Sequence, residues 1–389
     1  MNFCVLFWAM INYKRFKKTT MINQKMNEKQ RLLTVEEVAE YLQLDKHTIY
    51  RMARRGEIPA IKIAGKWRFK KEKIDEWLLN MENTIENVIN KGLAFIEKHQ
   101  LSSGEIPTLR ADNINMQNAV YVKTVTITFL VIWALQYLKN FPKAKSIIQR
   151  GIDFLLSEKE NGMVWKFFGK GSEITPDLDD TASILAVLKE NNISIDYEKY
   201  AKKLIKIRNE NGLFYTWFPE KGKGNNVDWV VNANVLYFFQ TMGIRIPEVE
   251  GYLVEVAKKG LFKKGSLYYH SPYAFGYFVS KLYYEFNLLE ATRTPLIEFV
   301  IDNYKTLNCI DLALGAVTLL NFGFKGKELD LMIKKILNTQ MSDGGWGVGT
   351  IFKHRTKEIY YGSRELTTGV ALESLNLYKK WRLSNEETE

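Results

Sequence analysis

The chain is poor in the residues that build disulfide frameworks and cysteine-rich metal sites. Its 389 residues include only two cysteines, Cys4 and Cys309, which lie far apart in sequence. This scarcity excludes a disulfide scaffold and a zinc site built from cysteines, and it indicates a reducing, cytoplasmic setting. With 46% hydrophobic and 25% charged residues, the composition is that of a globular protein large enough for two or three domains.

The chain also lacks an apolar run of the length that crosses a bilayer. The run TVTITFLVIWALQYL at 124–138 is shorter than a membrane span and follows Lys123, so it predicts a buried helix and no stable membrane span. The apolar start MNFCVLFWAMI carries its positive charges after the apolar stretch, unlike a secretory signal. We expect residues 1–30 to be disordered or a misannotated leader, with Met21 or Met26 as the true start. An interfacial anchor is the alternative.

The surplus of positive charge is concentrated at the N-terminal end. Residues 1–80 hold 17 Lys and Arg against 9 Asp and Glu, a net charge of +8. The remaining 309 residues hold 38 against 35, a net charge of +3. A basic fifth joined to a nearly neutral remainder indicates that one small module contacts a polyanion.

Residues 31–80 have the element order of a small helix-turn-helix domain. Thr34 opens a short helix at 35–42, and Asp45 caps a second helix at 46–55. Two short helices joined in this way have the spacing at which the second helix enters the major groove of DNA and the first braces it.

A β-hairpin is predicted directly after the second helix. Apolar residues alternate on both sides of Ala64 and Gly65, which is typical of two strands joined by a tight turn. Between Arg51 and Lys73 there are nine basic residues and two acidic ones. They fall on the second helix and the hairpin, the surfaces that a winged helix-turn-helix turns to phosphate.

The stretches LTVEEVAEYL, TIYRMARRGEIPA and GKWRF closely resemble the excisionase-type winged helix-turn-helix domains related to the MerR regulators. The resemblance covers about fifty residues and implies sequence-specific binding of double-stranded DNA. By position, base edges would be contacted by Lys46, His47, Thr48 and Arg51, and phosphates by Tyr50, Arg54, Arg55, Lys66 and Arg68. A generic basic face that contacts another protein is the alternative.

Residues 81–389 repeat a pattern of two helices separated by turns such as NGMVW, NGLFY and DGGWG. The first members of six helix pairs are amphipathic and lie near 82–100, 144–157, 197–209, 247–260, 295–306 and 328–340. The second members are more apolar and lie near 117–138, 178–189, 227–242, 272–287, 310–321 and 365–380. An apolar helix set alternating with an amphipathic one predicts an inner and an outer ring. We therefore expect a mostly α protein in which an (α/α)6 toroid follows the small domain.

Three carboxylates crowd the start of one inner helix, in the stretch PDLDDTASIL at 176–185. One aspartate suffices as an N-cap, and alignment of the repeats places Asp228 opposite Asp177, which makes Asp177 the expected cap. Asp179 and Asp180 have no such explanation. In a toroid, the glycine turns lead into the inner helices, so the acids and the loop aromatics would share one mouth. We expect a ligand pocket lined by Trp165, Phe168, Trp217, Trp229, Tyr269, His270 and Trp346.

The same region resembles squalene-hopene cyclases and class II terpene cyclases. DLDD has the form of their Asp-x-Asp-Asp motif, QMSDGGWG (340–347) resembles their Gln-Trp repeat, and YYGSRELTTGVALESL (360–375) resembles their terminal repeat. The resemblance implies that Asp179 is a general acid that protonates an alkene or epoxide, with Asp177 and Asp180 tuning it.

The resemblance implies no metal and no other cofactor. The DDxxD signature that binds magnesium and diphosphate in class I synthases is absent, and Cys309, Asp311 and His354 lack the order that protein prenyltransferases use for zinc. One departure counts against catalysis. The family's class II catalysts enclose their substrate between two barrels, whereas this chain has one.

Three functions remain open at this point. The first is a transcriptional regulator whose toroid binds a hydrophobic, isoprenoid-like molecule. The second is a class II-type cyclase, an isomerase or lyase that starts cyclisation by protonation from Asp179. The third is a protein-interaction scaffold in which the acids only cap a helix. The sequence favours the transcriptional regulator, because the resemblance of the DNA-binding module is the more specific one. Whether the chain pairs as a homodimer on DNA stays open.

Overall fold

The computed structural model describes residues 32–42, 44–221 and 224–384. The expectation for residues 1–30 lies outside these ranges. The chain divides into two compact units. Of the described residues, one unit comprises those through Asn90 with Ile333–Asn338 and those from Leu375 onward, and the other comprises those of Lys91–Met332 and Thr339–Ser374.

The N-terminal part of the first unit is a winged helix-turn-helix. Its elements are β1 (Leu32–Leu33), α1 (Val35–Tyr41), α2 (Lys46–Arg54), β2 (Ile61–Ile63) and β3 (Lys66–Lys70), and the strands form an antiparallel sheet in the order β1-β3-β2. Thr34 and Glu37 form the capping box of α1, and Asp45 caps α2. Local capping therefore sets both helix starts, as the sequence predicts.

The wing turns where the sequence predicts it. Ala64 and Gly65 join β2 to β3, and both have positive φ, 48° and 76°, as a two-residue hairpin turn of type I′ requires. The core under α2 is formed by Ile49 and Met52, which are fully buried together with Phe69 of β3. This packing fixes the orientation of the opposite, basic face of α2.

Six pairs of helices follow, each with an outer and an inner member. The outer helices are α3 (Lys71–His99), α5 (Pro142–Ser157), α7 (Tyr197–Leu204), α9 (Pro247–Lys258), α11 (Arg293–Asn303) and α13 (Lys327–Asn338). The inner helices are α4 (Thr126–Leu135), α6 (Leu178–Glu190), α8 (Trp229–Thr241), α10 (Pro272–Phe286), α12 (Cys309–Asn321) and α14 (Arg364–Ser384). Short 3₁₀ turns lie at Gln136–Leu138, Leu261–Lys264, Glu290–Thr292 and Tyr304–Thr306.

The inner helices form a closed ring in the second unit. Every residue of α4 is buried, and α6, α8, α10 and α12 are buried on nearly all faces, which is the pattern of helices enclosed by others. Consecutive inner helices pack against each other from α4 to α12. Gly349 contacts Ile310 of α12 and Thr367 of α14, and Gly369 of α14 lies against Val131 of α4, which completes the ring. The predicted mostly α, (α/α)6 toroid is thus confirmed.

A four-stranded antiparallel sheet that the sequence analysis did not predict lies beside the starts of the inner helices. Its strands are β4 (Thr108–Ala111), β5 (Val120–Val122), β6 (Gly349–Lys353) and β7 (Tyr360–Ser363), in the order β5-β4-β7-β6. The predicted inner helix at 117–138 is wrong over its first part, because those residues pair with β4. β4 pairs in turn with β7, and Leu109 lies opposite Gly362. No helix in the described ranges combines the length and apolarity needed to cross a membrane.

Candidate functional site at the mouth of the toroid

Two aspartates cap neighbouring inner helices. Asp177 is the N-cap of α6, and its Oδ1 accepts the N–H of Asp180 at 2.7 Å. Asp228 is the N-cap of α8, and its two oxygens accept four backbone N–H groups, those of Val230, Val231, Leu267 and Tyr268. The alignment of repeats that paired these two residues predicted both caps correctly.

Asp179 is held by side chains instead of by the backbone of its helix. The Nδ2 of Asn234 donates to its Oδ1 at 2.7 Å, and the hydroxyl of Tyr269 donates to its Oδ2 at 2.6 Å. Asn234 lies in the second turn of α8, and Tyr269 precedes α10. Three consecutive repeats therefore converge on this one carboxyl group. The adjacent Asp180 accepts a hydrogen bond of 2.6 Å from the hydroxyl of Thr126 at the start of α4.

Burial raises the pKa values of all three acids. Burial and then the charge of Asp180 raise the pKa of Asp179 to about 7, against the opposing effect of its two hydrogen-bond donors. Burial raises the pKa of Asp180 to about 6. The pKa of Asp177 lies well above its usual range, because this residue is buried beside both other acids. Near neutral pH, Asp179 can therefore both hold and release a proton.

A cavity of about 400 Å³ opens in front of these acids. Aromatic side chains form much of its wall, and the β6–β7 hairpin tip brings Lys353, His354 and Arg355 to its edge. The lining consists of Thr126, Phe167, Phe168, Ile174, Asp177, Asp179, Asp180, Thr216, Trp217, Val231, Tyr268, Phe352, Lys353, His354, Arg355, Thr356 and Tyr361. The site thus combines an acid, an aromatic wall and a basic rim.

Some of the predicted pocket residues line this cavity and others lie behind it. Phe168 and Trp217 are in the wall, and Trp217 donates through its Nε1 to the hydroxyl of Tyr268 at 2.8 Å. Tyr269 is fully buried and reaches the site through its hydrogen bond to Asp179. Trp165 and Trp346 are also fully buried, outside the lining, and their role in binding stays a prediction.

His270 and Trp229 also lie outside the cavity lining. The imidazole of His270 makes an edge contact with the ring of Tyr360, and burial lowers its pKa to about 4, so it is neutral at physiological pH. Trp229 is the first residue of α8 and is half-buried. Neither residue contacts Asp179 through a hydrogen bond that the structure shows.

Several residues of the site were not predicted from the sequence. Asn234 could have been noticed as a polar residue inside the apolar stretch VVNANV, where an unpaired amide would be costly. Lys353 and Arg355 carried no local signal, since they reach the cavity only through the long-range pairing of β6 and β7.

The predicted DNA-contacting residues lie on α2 and on the wing. Lys46, His47, Arg51, Arg54, Arg55 and Lys66 are exposed, and Thr48, Tyr50 and Arg68 are half-buried. The guanidinium of Arg68 donates to the carbonyl of Trp67 at 2.9 Å. Which of these residues contact bases and which contact phosphates stays a prediction.

Comparison with known proteins finds a family match for the N-terminal domain and structures of similar fold for the toroid. Residues 32–81 match the family model of a helix-turn-helix domain of the excisionase-like type. The type II terpene cyclase MstE from Scytonema, solved without ligand, shares 15% identity and a TM-score of 0.60 over 77% of this chain and 99% of that chain. A variant of it in complex with geranylgeranyl dihydroxybenzoate gives 13% identity and a TM-score of 0.61 over 77% and 98%.

A protein from Actinoplanes gives 14% identity and a TM-score of 0.58 over 76% of this chain and 99% of that chain. No curated protein matches the chain in sequence. Nearly the whole of MstE, which is a type II terpene cyclase, is matched by this chain, so that protein does not contain a second barrel of similar size. The protein therefore joins an excisionase-like helix-turn-helix domain, which suggests DNA binding, to a toroid with the fold of type II terpene cyclases.

Proposed function

We propose that the toroid is a type II terpene cyclase that acts on an isoprenoid with an anionic head group, and that Asp179 is its general acid. The observation that carries this proposal is the environment of Asp179. Its carboxyl group lines an aromatic cavity and accepts hydrogen bonds from two neutral donors, Asn234 and Tyr269. Its pKa is raised to about 7. A general acid works best when its pKa lies near the working pH.

The proton on Asp179 would be transferred to one carbon of an alkene. The alkene π electrons form the new C–H bond, the neighbouring carbon becomes a carbocation, and a second alkene of the same chain attacks it to close a ring. Asp179 is left as a carboxylate, which the hydrogen bonds from Asn234 and Tyr269 stabilise. The ring-closed carbocation then loses a proton from an adjacent carbon to water, which leaves a neutral cyclic alkene. The faces of Phe167, Trp217 and other aromatic residues of the wall favour a cation in the cavity.

The basic rim supports an anionic head group on the substrate. Lys353 and Arg355 line the same cavity as the three acids. An ammonium and a guanidinium bind phosphate or carboxylate oxygens well. The cyclase from Scytonema was solved with geranylgeranyl dihydroxybenzoate, an isoprenoid chain joined to a benzoate, which supports the same class of ligand here.

The proposal is tested by incubating the full chain with farnesyl diphosphate, geranylgeranyl diphosphate and a geranylgeranyl benzoate, and analysing products by mass spectrometry. We expect cyclised product from the wild type and a loss of at least about a hundredfold in rate for Asp179→Asn, the range typical of a missing general acid. Asp196→Asn, which alters the exposed N-cap of α7, is the matched control and should retain activity. Absence of product in every case, or undiminished product from Asp179→Asn, would overturn the proposal.

A second function is favoured by the helix-turn-helix itself. Exposed basic residues on α2 and the wing support sequence-specific DNA binding, and a ligand in the toroid would then regulate transcription. The test is to select a preferred operator from random DNA and measure its affinity with and without the isoprenoid. A shift in operator affinity that persists in Asp179→Asn would support regulation by binding alone, and an unchanged affinity would count against it.

A further inference from the structure

A buried charged pair joins two inner helices of the toroid. Lys281 of α10 and Glu373 of α14 are both fully buried and form a direct ion pair. The hydroxyl of Tyr277, one turn before Lys281 on α10, donates to the other oxygen of Glu373 at 2.8 Å. We refer to Lys281 and Glu373 as the floor pair.

The floor pair contacts the opposite side of the ring. The Nζ of Lys281 lies 5.6 Å from the ring of Trp133 in α4 and 4.6 Å from the ring of Tyr137 directly after it. α4 and α10 are the first and fourth inner helices, which face each other across a ring of six. Since neighbouring helix axes are about 8–10 Å apart, facing helices stand roughly twice as far apart. Only long side chains that fill the lumen can meet across that span.

Further aromatic side chains pack around Trp133. The ring centroids of Trp133 and Tyr237 of α8 are 4.6 Å apart, and those of Trp133 and Phe278 of α10 are 5.8 Å apart. The hydroxyl of Tyr237 donates to Glu190 at the end of α6 at 2.5 Å. Side chains from five of the six inner helices therefore converge around Lys281.

The depth of this level follows from helix geometry. Asp179 is the second residue of α6, and Lys281 is the tenth residue of α10. Counted from the start of its own helix, Lys281 therefore lies eight positions deeper than Asp179, which is about 12 Å along a helix axis at a rise of about 1.5 Å per residue. The cavity lining includes Asp179 and neither member of the floor pair.

A buried ion pair is weak evidence for a stabilising role. Two buried charges lose their hydration, and apolar residues of similar size in place of such a pair are often neutral or stabilising. We infer that Lys281 and Glu373 determine the length of isoprenoid chain that the site accepts, by closing the lumen beneath the cavity. This inference rests on the proposed function, because it assigns the depth of the same site.

The test compares two double variants in an Asp179→Asn background, which prevents turnover. In the open variant, Lys281→Ala with Glu373→Ala removes every floor-pair atom beyond Cβ. In the closed variant, Lys281→Met with Glu373→Gln keeps the size and removes the charges. Calorimetry then gives the affinities for geranyl, farnesyl and geranylgeranyl diphosphate.

We expect the open variant to bind geranylgeranyl diphosphate at least about tenfold more tightly than the parent, with the affinity for geranyl diphosphate unchanged, because added chain can then bury more apolar surface. The closed variant should keep the parent's dependence on chain length. Thermal unfolding checks each variant, and Lys281→Ser with Glu373→Gln is a milder opening if the first does not fold. The same length dependence in the parent, the closed variant and a folded open variant would overturn the inference.

Xenon separates failure of this inference from failure of the proposed function. If no variant binds an isoprenoid, the proposed function fails, and crystals of the open and closed variants under xenon pressure still test the floor. An opened lumen lined by Trp133, Tyr137 and Tyr277 should take up xenon, as apolar cavities do. Equal xenon occupancy in both variants would show that the floor pair does not close the lumen.

Discussion

Replacement of Asp179 by asparagine should change the pH dependence of the protein's stability. Burial raises the pKa of Asp179 from 3.8 to about 7 in the folded protein. Between about pH 4 and pH 7 the folded chain keeps the proton on Asp179 while the unfolded chain releases it. The stability that this proton contributes is therefore complete below about pH 4 and is lost as the pH rises through about 7. About three units at roughly 1.4 kcal/mol each give about 4 kcal/mol. This is an upper bound, since Asp179 is only partly buried.

Asparagine does not titrate, so the Asp179→Asn variant does not lose this stability as the pH rises. Between pH 4 and pH 8 the free energy of unfolding of Asp179→Asn should therefore rise relative to that of the wild type by up to about 4 kcal/mol. Urea titrations followed by tryptophan fluorescence at several pH values measure the difference directly. Thr241→Ala, which removes a hydroxyl bonded to the carbonyl of Phe238, is a neutral control and should change stability by the same amount at each pH. A difference between Asp179→Asn and the wild type that stays constant with pH would show that Asp179 does not keep a raised pKa in the folded protein.

Three further predictions follow from single contacts. Tyr269→Phe removes a hydrogen bond that favours the charged form of Asp179, so the alkaline limb of the pH–rate profile should move to higher pH, and an unchanged limb would contradict this. Arg51→Ala should weaken operator binding by about 1–3 kcal/mol and relax the preference at one base pair, as measured at fixed salt. Uniform weakening of binding to all sequences would show instead that Arg51 contacts a phosphate. Asp228→Ala leaves four backbone N–H groups without their acceptor and should lower the free energy of unfolding by about 2 kcal/mol or more. A loss below about 0.5 kcal/mol would show that water replaces the cap.

The helical part of the fold could be predicted because its signals are local. The stretch predicted at 178–189 is α6 (Leu178–Glu190), because an aspartate cap marks its start and the end of an apolar run marks its end. The first outer helix, predicted near 82–100, begins earlier as α3 (Lys71–His99), because no glycine or proline interrupts the chain between Lys71 and Lys91. The sheet could not be predicted, since its strands are three to five residues long and β4 pairs with β7 from the other end of the chain.

The acid of the candidate site could be recognised because it exceeds what a cap needs. Its partners could not, since Asn234 and Tyr269 follow Asp179 by 55 and 90 residues and meet it only when three repeats close around one mouth. The tryptophans of the glycine turns show the opposite case. Their spacing marks the repeat, but Trp165 donates to the carbonyl of Leu155 and is fully buried outside the cavity lining. An aromatic residue that recurs in each repeat is thus better evidence for a structural role than for contact with a ligand.

The central claim, that Asp179 gives its proton to a bound alkene, is tested most directly by running the reaction in D₂O. We expect the cyclised product of the wild type to carry one deuterium at the carbon protonated first, and we expect Asp179→Asn to form no such product. A cyclised product without deuterium would mean that the reaction begins by loss of the head group instead. Unchanged deuterium incorporation by Asp179→Asn would show that another group is the acid.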